Sequence, residues 1–127
     1  MPSLNRSFCK RISRCASIEV TEVRDSEAAL KKLNADRAVT ALLLDASGKS
    51  LSSEAFAKWL GNLRDRGERE IVFVCGEADG FPTALRDRVP QKFSLSVMTY
   101  SHELARVMLA EQIYRAFGIL DGSPYPR

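Results

Sequence analysis

Two short apolar runs, Val39 to Leu44, broken only by Thr40, and the continuous Ile71 to Cys75, each stand between stretches of helical periodicity. No other feature of the chain constrains its fold as much. A strand with one wet face alternates apolar and polar residues, whereas unbroken runs belong to strands covered on both faces, as in mainly parallel sheets flanked by helices. The surrounding pattern fits that class. Ile18, Val20 and Val23 nearly alternate with Glu19, Thr21 and Glu22, predicting a strand with one wet face, and a short helix is expected over Ser26 to Leu33. Asp45, Ser47 and Gly48 predict a turn after the first apolar run. Ser52 or Ser53 can cap a helix with Phe56, Trp59, Leu60 and Leu63 on one face, stopped by Gly67. After the second run come a loop over Gly76 to Phe81, a short helix opened by Pro82 and running through Leu85, and a third strand over Lys92 to Val97. Ser101 can cap the last helix, His102 to Phe117, with Glu111 and Arg115 paired four apart, and a tail follows from Gly118. The expectation is an α/β fold around a mainly parallel sheet.

At 127 residues, with 45% hydrophobic and 28% charged residues, the chain has material for one domain with a sizeable core. Nineteen basic against 16 acidic side chains give a net charge of +3, a mild tilt toward polyanionic partners. Cys9, Cys15 and Cys75 have neither paired spacing nor neighbouring histidines, which argues against a disulfide framework or a zinc site and for a reducing cytoplasm. No apolar run approaches the ~20 residues that span a bilayer, so a soluble protein is expected. No acid precedes Glu19, and Arg6, Lys10, Arg11 and Arg14 stand among serines, a composition shared with organellar transit peptides. The spacing favours a helix of the fold instead: Leu4, Phe8 and Ile12 recur on one face, and Arg6, Lys10 and Arg14 on another.

In parallel α/β sheets ligands settle at the carboxyl ends of strands, here the loops after Leu44, Cys75 and Val97. The loop Gly76-Glu77-Ala78-Asp79-Gly80 has glycines that let a ligand approach the backbone, but it lacks both the dinucleotide fingerprint and the Gly-Lys-Ser/Thr of a phosphate-binding loop. His102 is the lone histidine, and no serine has a nucleophile-elbow context, so hydrolase chemistry is excluded.

Several segments combine in one order: Leu43-Leu44-Asp45-Ala46-Ser47-Gly48-Lys49, Cys75-Gly76-Glu77-Ala78-Asp79-Gly80-Phe81, Phe93-Ser94-Leu95-Ser96-Val97-Met98-Thr99, Ser101-His102-Glu103-Leu104-Ala105-Arg106, Glu111-Gln112-Ile113-Tyr114-Arg115-Ala116 and Ser123-Pro124-Tyr125. In order and spacing this resembles the RlmH family of the SPOUT superfamily, methyltransferases that modify N3 of a pseudouridine in 23S rRNA, and the likeness covers nearly the whole chain. It implies a single SPOUT domain over 1–127, with a C-terminal trefoil knot that breaks the rule of unknotted chains. It also implies S-adenosyl-L-methionine as cofactor, held by Leu44, Gly76, Leu95, Ser96, Val97, Met98, Thr99 and Tyr100, and a homodimer packed through the last helix. No metal is implied. His102, Arg106 and Tyr125 are the candidates for orienting the target base, and Arg6, Lys10, Arg14 and Arg127 for touching RNA phosphates.

The chain departs from the family in three places. It opens almost inside the basic helix, a strand later than its relatives. The family's Gly-Gly-Pro-Glu-Gly loop becomes Gly76 to Gly80 with Glu77, Ala78 and Asp79 in the middle. Glu103 replaces a proline after His102, and the ending Ser123-Pro124-Tyr125-Pro126-Arg127 lacks the usual imidazoles. These changes keep open a second reading, a catalytically silent RlmH-like protein that binds RNA or ribosomes. A flavodoxin-like module is the third.

Overall fold

In a computed structural model of the chain, the described residues are 7, 10–12, 25–35, 39–68, 70–75, 81–95 and 101–122. In chain order they form helix α1 (Ser26–Ala35), strand β1 (Thr40–Ser50), helix α2 (Ser53–Asp65), strand β2 (Ile71–Cys75), helix α3 (Thr83–Arg88), strand β3 (Lys92–Ser94) and helix α4 (His102–Asp121). They divide into two compact units, one of residues 21–50 and 68–102, the other of residues 1–20, 51–67 and 103–127.

The first unit is built on a parallel sheet of order β2-β1-β3. Successive strand residues point to opposite faces, and the neighbours Leu42 and Leu43 in central β1 are both 0% exposed. The apolar run therefore reflects a strand covered on both sides, as expected. Strand β2, at an edge among the described strands, is half-buried along its length. Leu43 joins Leu33 of α1, Leu85 of α3, Phe81 and Val89 in one buried cluster, with Val72 and Val74 of β2 packed against it. Fully burying one such side chain contributes about 1.5–3 kcal/mol.

Helix α1 starts where the sequence suggests, with Asp25 Oδ1 accepting the Ala28 amide at 2.9 Å, but runs past Leu33 to Ala35. Its extra residues are held from α3: Arg88 donates through Nη2 to the Leu33 carbonyl and through Nε to Asn34 Oδ1, each at 2.9 Å. A cation there satisfies the end of α1, where carbonyls lack intrahelical partners. Helix α3 is longer than expected, continuing from Leu85 to Arg88, and Pro82 occupies the N-cap position just outside it. Strand β3 is shorter, ending at Ser94 with a bend at Leu95; Ser96 and Val97 of the expected strand lie outside the described residues. So does the expected strand from Ile18 to Val23.

Asp45 to Gly48, expected as a turn closing the strand, instead form a bulge inside β1. Leu44 pairs with Phe93, the chain steps outward, and Lys49 pairs again with Phe93 and Ser50 with Ser94. The side-chain to backbone bond that turn-forming residues favour is present, from the Ser47 amide to Asp45 Oδ1, within the strand. Their sequence gave no sign that pairing would resume beyond them.

In the second unit, the Ser52 hydroxyl accepts the Ala55 amide at 3.0 Å, making Ser52 the cap of α2. Phe56, Leu60 and Leu63 are buried, as their spacing requires, and Trp59 stacks on Phe56 at 5.7 Å. Gly67, at φ 79°, takes the left-handed conformation just past the end of that helix. Ser53 donates to Gln112 Oε1 at 2.9 Å, tying α2 to α4.

Helix α4 overruns its expected end at Phe117 and continues through Gly118 to Asp121, where Gly122 at φ 73° stops it. A glycine within a helix costs only about 1 kcal/mol against alanine, and packing on the far side offsets that. A Cβ at Gly61 of α2 would stand 2.7 Å from Leu120 Cδ2, so the two helices meet closely there. Arg64 also approaches Asp121 at 3.8 Å. Glu111 and Arg115 form the expected pair, at 2.7 Å. Of the basic segment, Ser7 and Lys10 to Ile12 are helical, with Ile12 buried and Lys10 and Arg11 exposed, the amphipathic arrangement expected.

Candidate active site at the sheet edge

Leu44 is the hinge of the site. It lies between Cys75, the last residue of β2, and Phe93, the last but one of β3, in parallel register, while β1 itself continues through the bulge to Ser50. Loops after Leu44, Cys75 and Val97 are those expected to hold a ligand; the register sets Leu44 beside Cys75, and Val97 lies outside the described residues. Leu44 and Leu95 are half-buried, offering apolar surface, while Ser94 is buried at 7% exposure.

The bulge occupies the same edge. Asp45 Oδ1 accepts the Ser47 amide at 3.0 Å and its hydroxyl at 3.1 Å. Lys92 Nζ donates to that hydroxyl at 3.2 Å, so Ser47 links an ammonium on β3 to a carboxylate on β1. Gly48 lies so close to β3 that a Cβ would meet the Lys92 carbonyl carbon at 2.8 Å and its oxygen at 2.9 Å. Sequence reasoning marked these residues as a turn and a strand start and missed their partnership, because Ser47 and Lys92 are joined only by the parallel pairing.

Of the other candidates, His102 is the first residue of α4, and Arg106 lies one turn further, half-buried with its Nε shielded from solvent. Lys10 is exposed on the basic helix. The His102 side chain, and residues Gly76, Ser96, Val97, Met98, Thr99, Tyr100, Tyr125, Arg6, Arg14 and Arg127, lie outside the described residues. Among the described residues, no helix is long and apolar enough to cross a membrane.

A family profile described as "Predicted SPOUT methyltransferase" matches residues 2–126. The chain belongs to the SPOUT methyltransferase family. Within it, the relatives share one name, Ribosomal RNA large subunit methyltransferase H. The protein of that name from Rhizobium meliloti (strain 1021) is 46% identical over 115 residues, 91% of this chain and 71% of the relative. That from Agrobacterium fabrum (strain C58) is 42% identical over 130 residues, 99% of this chain and 80% of its own length. That from Rhizobium etli (strain CFN 42) is 47% identical over 115 residues, with 91% and 71% covered. The resemblance drawn from the sequence segments, to the RlmH branch of an enzyme family, therefore holds, and the parallel sheet agrees with the expected SPOUT class.

Proposed function

We propose that this SPOUT family member transfers a methyl group from S-adenosyl-L-methionine to N3 of a pseudouridine in 23S rRNA. The observation that carries the reading is the parallel register at Leu44, which sets that residue beside the end of β2 and next to the end of β3 in a chain this similar to methyltransferase H proteins. Leu44, Gly76 and Leu95 to Tyr100 would hold the donor through backbone groups and apolar side chains. Once bound, the donor supplies an activated methyl group on a sulfonium, so the protein needs no nucleophile of its own.

What remains for the chain is alignment. Holding a ring nitrogen in line with the methyl carbon removes much of the entropic part of the barrier. His102 and Arg106, four apart on α4, orient the base and steady the negative charge it gains on losing its N3 proton, and Tyr125 lies against the target nucleotide. Arg6, Lys10, Arg14 and Arg127 meet RNA phosphates, and such contacts make binding fall with added salt. The protein works as a homodimer in the cytoplasm, with Leu104, Met108, Tyr114 and Phe117 of α4, half-buried in the single chain, covered further by a second copy.

Incubating purified protein with ribosomes and labelled donor tests this. Label in 23S rRNA is expected. Donor binding without transfer, beside an active relative as control, would overturn the enzyme reading and favour the silent relative, which the missing imidazoles of the tail already suggest.

A further inference from the structure

We propose that Gly48 and Lys92 are positioning residues that set the distance between the two leucine walls of the donor site. The proposal rests on the reading above, in which Leu44 and Leu95 hold the donor. The bulge begins directly after Leu44, and pairing resumes on Phe93 and Ser94, the residues directly before Leu95. Leu44 pairs with Phe93 directly, and the bulge adds a second attachment at Phe93 and Ser94, so what holds the bulge against β3 constrains where the Leu95 segment departs relative to Leu44.

Two contacts do this. The first is steric: Gly48 packs on the Lys92 backbone so tightly that a Cβ would lie 2.8 Å from the carbonyl carbon, 2.9 Å from its oxygen and 2.9 Å from the Lys92 Cβ. Backbone atoms cannot rotate aside as a side-chain tip can, so any side chain at position 48 must push the bulge and β3 apart. The second is polar: Lys92 Nζ donates to Ser47 Oγ at 3.2 Å, and that hydroxyl donates in turn to Asp45 Oδ1 at 3.1 Å. One hydroxyl thus accepts from β3 and donates to β1, joining the strands at the bulge. Neither Gly48 nor Lys92 needs to touch the donor for this to matter, since a small misplacement of binding groups is enough to weaken a site.

The test compares the intact protein with Gly48→Ala, Lys92→Met and Lys92→Arg, using S-adenosylmethionine titrated calorimetrically, the melting temperature of the donor-free protein, and steady-state methyl transfer to ribosomes. Gly48→Ala is expected to weaken donor binding about tenfold or more and Lys92→Met about threefold, raising KM for the donor while kcat at saturating donor stays within about twofold. Lys92→Arg keeps a donor for Ser47 and restores wild-type affinity. Because the Lys92 contact is exposed, Lys92→Met leaves the melting temperature within about 2 °C of wild type, so its loss of affinity is separate from unfolding. Wild-type affinity in Lys92→Met together with wild-type affinity in a folded Gly48→Ala overturns the proposal; should Gly48→Ala not fold, wild-type affinity in Lys92→Met alone overturns it. A wild-type protein that binds no donor overturns the reading beneath it instead, and the positioning role falls with that reading.

Discussion

Gly48 illustrates what single residues disclose and what they conceal. Its place in Asp45-Ala46-Ser47-Gly48 announces a bend, because these residue types favour local side-chain to backbone bonds and flexible backbone. The reason glycine is required is different: the Lys92 backbone fills the space a Cβ would take. That neighbour comes from a strand far along the chain, which no local pattern discloses. Ser52 is the opposite case, a cap whose partner, the Ala55 amide, lies within its own turn and is legible directly. Ser52→Ala is expected to cost about 1 kcal/mol, a fall of roughly 3–5 °C in melting temperature by calorimetry, with methyl transfer at ordinary temperature unchanged. Arg106 is a residue whose role depends on the substrate. Arg106→Ala is expected to lower kcat by about tenfold or more while leaving the donor titration near wild type, because it is assigned to the base and not to the cofactor.

Among elements, the central strand was the most legible, since Leu42 and Leu43 carry no exposed surface and a run buried on both faces leaves little alternative to a parallel sheet. Leu43→Ala removes a side chain shared by β1, α1 and α3 and is expected to cost about 2–5 kcal/mol, measured by urea unfolding, a larger loss than any surface change in the same strand. Element ends were less legible wherever they depend on distant partners. Helix α1 outlasts Leu33 because Arg88 of another helix caps it, and α4 outlasts Gly118 because Leu120 packs at Gly61. In both cases the local stop signal was real and a tertiary contact outweighed it. The bulge follows the same rule: a turn signature inside a strand becomes a bulge when the strand beyond it still has a partner to pair with.

For the molecule as a whole, hydrophobic periodicity yielded the α/β class, while the family came from ordered segments such as Leu43 to Lys49 and His102 to Arg106 and agrees with the profile match over residues 2–126. A knot, a second subunit and a target nucleotide enter only through the family resemblance, because none is a property of local patterning. Sedimentation equilibrium is expected to give twice the mass of the 14.1 kDa chain, and a monomer at micromolar concentration would count against the paired arrangement of α4. The most direct measurement of the central claim is nucleoside mass spectrometry of 23S rRNA from ribosomes treated with this protein and S-adenosylmethionine. The account predicts a single new methylated pseudouridine carrying its methyl on N3; unmodified rRNA from a folded, donor-binding protein, or a methyl on any other base, would contradict it.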